Sequence, residues 1–144
     1  MGKKLDVLFL CTGNSCRSQM AEGFCRHFKG DEIEAASAGI EAHGLNPYAV
    51  QVMAEVGVDF SGQTSKVVSA LGDREFDYVI TVCGHANESC PVFPAKTKVI
   101  HRGFEDPPQM AKRAGTEEAV LDCYRQVRDE IKAYVMTLPG SLMG

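Results

Sequence analysis

The stretch FLCTGNSCRS, residues 9–18, decides how the chain is organised. An apolar run ends at a thiol, Cys11. Gly13, Asn14 and Ser15 follow, residues that accept tight or left-handed backbone, and then Arg17 and Ser18 open a helical pattern. A strand, a glycine-containing loop and a helix beginning near Arg17 direct successive backbone N–H groups, and the positive end of the helix, at one point above the loop. That is a cradle for an oxyanion, built from Thr12, Gly13, Asn14, Ser15, Cys16 and Arg17. Neither the G-x-x-x-x-G-K-[ST] nor the G-x-G-x-x-G phosphate pattern occurs, so a nucleotide fold of those types is excluded.

Outward from this loop, strands and helices alternate. LDVLFL, residues 5–10, is a continuous apolar run of the kind found in strands buried on both faces. Met20, Phe24 and Phe28 recur at four-residue spacing and predict a helix over 17–29. Residues 32–39 read as a strand, and Asn46-Pro47 combines a cap with a first-turn proline to start a helix over 47–56. A further helix is expected over 61–72, strands over 77–83 and 98–101, and a terminal helix on the stripe Leu121, Tyr124, Val127, Ile131, Val135 and Leu138, closed by Pro139-Gly140. This alternation predicts an α/β fold in one domain, 1–144: an open, parallel, four-stranded sheet with helices on both faces. Ligands of such sheets bind beyond the carboxyl ends of the strands, where Cys11 and Cys83 both fall.

Composition limits the function classes. With 15 Lys and Arg against 19 Asp and Glu, the net charge of −4 argues against a nucleic-acid or anionic-membrane surface. No apolar stretch approaches the roughly 20 residues of a membrane span, and the start lacks a signal peptide's apolar segment, so a cytoplasmic protein is expected. The six cysteines at 11, 16, 25, 83, 90 and 123 are then reactive, metal-binding or buried thiols rather than a disulfide framework.

Under the cradle's field the pKa of Cys11 is expected to fall from about 8.5 to about 4–7, giving a nucleophilic thiolate. Arg17 can grip a tetrahedral anion bidentately while the sulfur attacks its central atom, and Ser18 can donate to that sulfur. C-x5-R-S directly after a first strand resembles the signature loop of the low-molecular-weight protein tyrosine phosphatases. The longer string CTGNSCRSQMAEG is similar to the arsenate reductases built on the same fold. The alternative for Cys11 is a merely buried strand-end cysteine.

The two activities differ in what they require. An arsenate reductase must also supply two electrons, and TVCGHANESCP places Cys83 and Cys90 with six residues between them, the spacing of the thioredoxin-coupled arsenate reductases. The resemblance implies a relay in which Cys83 attacks Cys11, Cys90 attacks Cys83, and an external thioredoxin reduces the resulting pair, with no bound cofactor. Zinc held with His85, or two unrelated structural cysteines, are the alternatives for this pair. GFEDPP, residues 103–108, resembles the loop that supplies the general acid in both activities, which implies that role for Asp106. The phosphatases usually carry tyrosine after Asp-Pro, where this chain has Pro108.

The resemblance therefore implies a monomeric reductase acting on arsenate, with phosphate and sulfate as competing oxyanions. A phosphatase using Cys11, Arg17 and Asp106 alone, and a non-catalytic redox sensor, are the competing readings. Some such reductases bind potassium through residues matching Asn14, Glu22 and Ser37 plus an aspartate. Lys66 stands in the aspartate's place, so its ammonium is expected to replace the ion, pairing with Glu22, and no metal is expected. Cys25 and Cys123 read as core residues, Cys16 as an auxiliary loop thiol, and His27, His43 and His101 as residues without a role.

Overall fold

Strand β1, Leu5–Cys11, carries Val7, Leu8, Phe9 and Leu10, all fully buried. Successive strand residues point to opposite faces, so both faces of the sheet are covered at this strand, as its unbroken apolar run requires. The computed structural model describes residues 4–84, 93 and 96–143. Its single sheet is parallel, in the order β2-β1-β3-β4, with β2 Ile33–Gly39, β3 Tyr78–Thr81 and β4 Lys98–His101. The four predicted strands form at the predicted places, with β3 shorter than expected.

Helix α1, Arg17–Lys29, turns Met20, Ala21, Phe24 and Cys25 into the core. Helix α2, Pro47–Glu55, begins at Asn46, whose side chain accepts from the backbone N–H groups of Tyr48 and Ala49. A short helix α3, Pro107–Ala111, has Pro107 in its first turn, and α4, Glu117–Val135, starts at Thr116, whose hydroxyl accepts from Ala119. Every member of the predicted terminal stripe is buried, from Leu121 to Leu138. The chain then turns, and α5, Gly140–Met143, follows. Helix α4 packs against α1, α2 and α3 and so ties together the elements around the loop.

One expected helix does not form. Residues 61–72 are irregular apart from a 3-10 turn at Val68–Leu71. The backbone groups a helix would need are committed elsewhere: the Lys66 N–H donates to the Asn14 side chain, Lys66 O accepts from Gly39, and Thr64 O accepts from Gln19. Tertiary hydrogen bonds to the loop have taken the place of the i,i+4 ladder. Of the two cysteines read as core, Cys25 is fully buried and Cys123 only partly so.

Candidate active site

The parallel sheet brings Cys11 and Cys83 to one edge. Cys11 ends β1, and Cys83 lies two residues beyond β3, after the Val82 N–H donates to Leu10 O. Both thiols are buried, and the Thr12 hydroxyl, next along the chain from Cys11, stands 3.1 Å from the Cys83 sulfur. Segment 40–43 runs alongside the loop, with the Ile40, Glu41 and His43 N–H groups donating to the carbonyls of Cys11, Thr12 and Gly13. Gly39 makes this close approach feasible, since a Cβ there would stand 2.7 Å from Asn14 N and 2.8 Å from Thr12 O.

Cys11, Thr12, Gly13, Ser15, Cys16 and Arg17 surround a cavity of about 300 Å³, closed by His43, Asp106 and Pro108. Arg17 enters it from the first turn of α1. One of its terminal nitrogens donates to Phe104 O at 3.0 Å, the other is 3.3 Å from an Asp106 carboxylate oxygen, and its buried Nε has no partner among the described residues. Each unmet buried donor carries a desolvation cost of about 1–3 kcal/mol, so this arrangement favours an anion that would accept from it. Asp106 is the residue immediately before α3, and its side chain makes no cap to that helix, leaving the carboxylate on the cavity.

Asn14 and Ser18, expected at the ligand and at the sulfur, do not line this cavity. Asn14 has φ of 48°, left-handed as its residue type permits, and its amide is fully buried. The amide donates to Ser18 Oγ at 3.0 Å and Ser37 Oγ at 2.9 Å, and accepts from Gln19 Nε2 and the Lys66 N–H. It braces the loop from behind. The Cys11 sulfur is met by Cys83 and by the Thr12 N–H instead of by Ser18.

The thiol chemistry also departs from expectation. The hydrogen bond to Cys83, followed by burial, holds the Cys11 thiol well above its ordinary range, while the Arg17 charge and the Thr12 N–H pull it down. Local positive potential is present as the loop predicts, and a second thiol sharing the proton outweighs it. Cys16 is pushed up to about 12 by burial, against the pull of Arg17, which keeps it a thiol.

Behind the loop, Lys66 Nζ donates to Ser37 O at 3.0 Å and Thr64 O at 2.7 Å. Glu22 spends its oxygens on Ser37 at 2.6 Å and on Arg26, one turn along α1, at 2.7 Å. The expected Lys66–Glu22 pairing is thus a through-space attraction rather than a contact, and burial lowers the Lys66 pKa against the pull of Glu22. A lysine ammonium seated on two carbonyl oxygens does not fit a potassium site. Cys90 and His85, the other members of the expected thiol and zinc alternatives, lie outside the described residues.

The description of the matching family model is low molecular weight phosphotyrosine protein phosphatase, and it covers residues 6–143. The chain belongs to this family. Within the phosphatase family it is 53% identical over 135 residues to an arsenate reductase of Shouchella clausii, 94% of each chain. A solved arsenate reductase in the phosphate binding state superposes with a TM-score of 0.74 at 35% identity, covering 94% of this chain and 96% of that one. A thioredoxin-dependent arsenate reductase of Corynebacterium glutamicum matches with a TM-score of 0.72 at 26% identity, over 99% of this chain and 63% of its own.

Two parts of the site had no signal in the sequence. Phe104 contributes a carbonyl that aims Arg17, and any residue type can do that. His43, passed over as a loop histidine, borders the cavity because its backbone is bonded to Gly13, a pairing of segments far apart in the chain.

Proposed function

We propose that the chain reduces arsenate to arsenite with three cysteines and is regenerated by an external thioredoxin. The observation that carries this is Cys83: a second buried thiol brought by the parallel sheet to the edge where Cys11 ends β1, 3.1 Å from the Thr12 hydroxyl and near enough to raise the Cys11 pKa. Ester hydrolysis has no use for it.

Arsenate enters the loop and accepts from Arg17 and the backbone N–H groups. The Cys11 sulfur, as thiolate, attacks arsenic, and Asp106 protonates the departing oxygen, which leaves as water. Cys83 then attacks the Cys11 sulfur. A sulfur–sulfur bond forms, the sulfur–arsenic bond breaks, and its electron pair stays on arsenic, which leaves as arsenite. Arsenic has gained two electrons and two thiols have lost them. Attack by Cys90 on Cys83 returns Cys11 as thiolate and leaves a Cys83–Cys90 disulfide for thioredoxin, whose own two thiols become oxidised. The protein acts as a cytoplasmic monomer without a bound cofactor. Hydrolysis of a phosphoester by Cys11, Arg17 and Asp106 is expected as a weak side activity.

The test is a single turnover of the fully reduced protein without external reductant, followed by mass mapping of the cysteines. About one arsenite per chain and a Cys83–Cys90 disulfide are expected. Brisk phosphoester hydrolysis with no arsenite and all thiols retained would replace the reductase reading with the phosphatase one.

A further inference from the structure

His43 borders the cavity and the proposed chemistry leaves it unused. Its ring lies so close on Gly13 that a Cβ there would stand 2.3 Å from Nδ1 and 2.8 Å from Cγ, which is a reason for glycine at this loop position. The opposite nitrogen, Nε2, is 2.8 Å from a Glu41 carboxylate oxygen. An ionised carboxylate can only accept, so in that bond Nε2 carries the proton. The neutral ring then presents a lone pair at Nδ1, on the loop side, and the imidazolium presents an N–H there.

From this placement we propose that His43 is a protonation-dependent element of the oxyanion site. As an imidazolium, with an N–H at Nδ1, it favours a bound tetrahedral dianion; as the neutral ring, with a lone pair there, it opposes one. The proposal rests on the loop from Cys11 to Arg17 being an oxyanion site. Among the described residues, the other titratable or charged groups at His43 or on the cavity it borders are Glu41 on its own segment, Cys11 and Cys16 at the loop, Arg17 from α1 and Asp106 at the start of α3. Arg17 donates to the anion whichever form His43 takes, so His43 grades an affinity that Arg17 and the loop already supply. It is a specificity-determining residue, tuning how much oxyanion the loop holds as the surroundings acidify.

Sulfate is the probe, because it remains a dianion across the range in which imidazoles titrate, whereas phosphate and arsenate change their own charge. The reduced protein is titrated with sulfate at constant ionic strength between pH 5.5 and 8.5, read by the amide shifts of residues 12–17. The native chain is expected to bind about three- to tenfold more tightly at the acid end, the size of a partly screened charge interaction. His43→Gln should lose most of that pH dependence while keeping a native amide spectrum. A His43→Gln profile that follows the native one overturns the proposal. A native chain whose loop amides do not respond to sulfate at any pH overturns the oxyanion site itself.

Discussion

Replacing Asn14 should damage the loop more than any substitution of a residue that lines the cavity. Its amide is fully buried and makes four side-chain hydrogen bonds, to Ser18, Ser37, Gln19 and the Lys66 N–H. Ser37 and Gln19 keep other partners when it is removed, Ser37 through Glu22 and Gln19 through Thr64 O. Among the described residues the Lys66 N–H and the buried Ser18 hydroxyl have no other partner and would be stranded. Four bonds at about 0.5–1.5 kcal/mol each give a loss of about 2–6 kcal/mol for Asn14→Gly, to which the stranded groups add. Asn14→Ala adds about 1–2 kcal/mol, because φ of 48° places its Cβ against the following carbonyl oxygen, a clash that glycine avoids. Urea unfolding of the reduced protein measures both, with an unchanged slope as the sign that the folded state is intact. A small loss for both variants would refute the bracing role. Equal losses would refute the left-handed strain while leaving the hydrogen-bond account in place.

Two further outcomes follow from the site. The Cys11 pKa is raised chiefly by Cys83, so its thiolate appears only as the pH climbs past that raised value. Cys83→Ala removes the cause and should move alkylation of Cys11 to lower pH, read by mass mapping; a profile that stays or rises would show that burial alone sets the pKa. With Lys66 Nζ on two carbonyls, exchanging sodium for potassium at constant ionic strength should leave native turnover unchanged. Lys66→Ala should acquire a response to the cation. Native activity that climbs with potassium would refute the tethered-ammonium account.

Much of the fold was written locally. Residues 7–10 and 78–80 are buried and carry no charged residue because both faces of the sheet are covered, and the Asn46-Pro47 start and the 121–138 stripe carry their capping and periodicity within a few residues. Cys11, Arg17 and Asp106, which the structure brings to one cavity, were legible because each stands beside a recognisable turn. The segment 61–72 was not, since a helix-compatible stretch lost its backbone groups to Asn14, Gln19 and Gly39, partners distant in the chain.

The sequence by itself determined the alternation of strands and helices, the glycine-containing loop between the first pair, and the presence of a thiol at its start. Those features rest on short-range geometry: side-chain period, capping and backbone N–H direction. Only the tertiary structure decided which way Asn14 faces, that Cys83 rather than Ser18 meets the Cys11 sulfur, that Lys66 sits on carbonyls, and that His43 covers Gly13. Each of these is a contact between residues brought together by parallel strand order. Burial then sets its energy, because a hydrogen bond or charge removed from water must find its partner inside the protein.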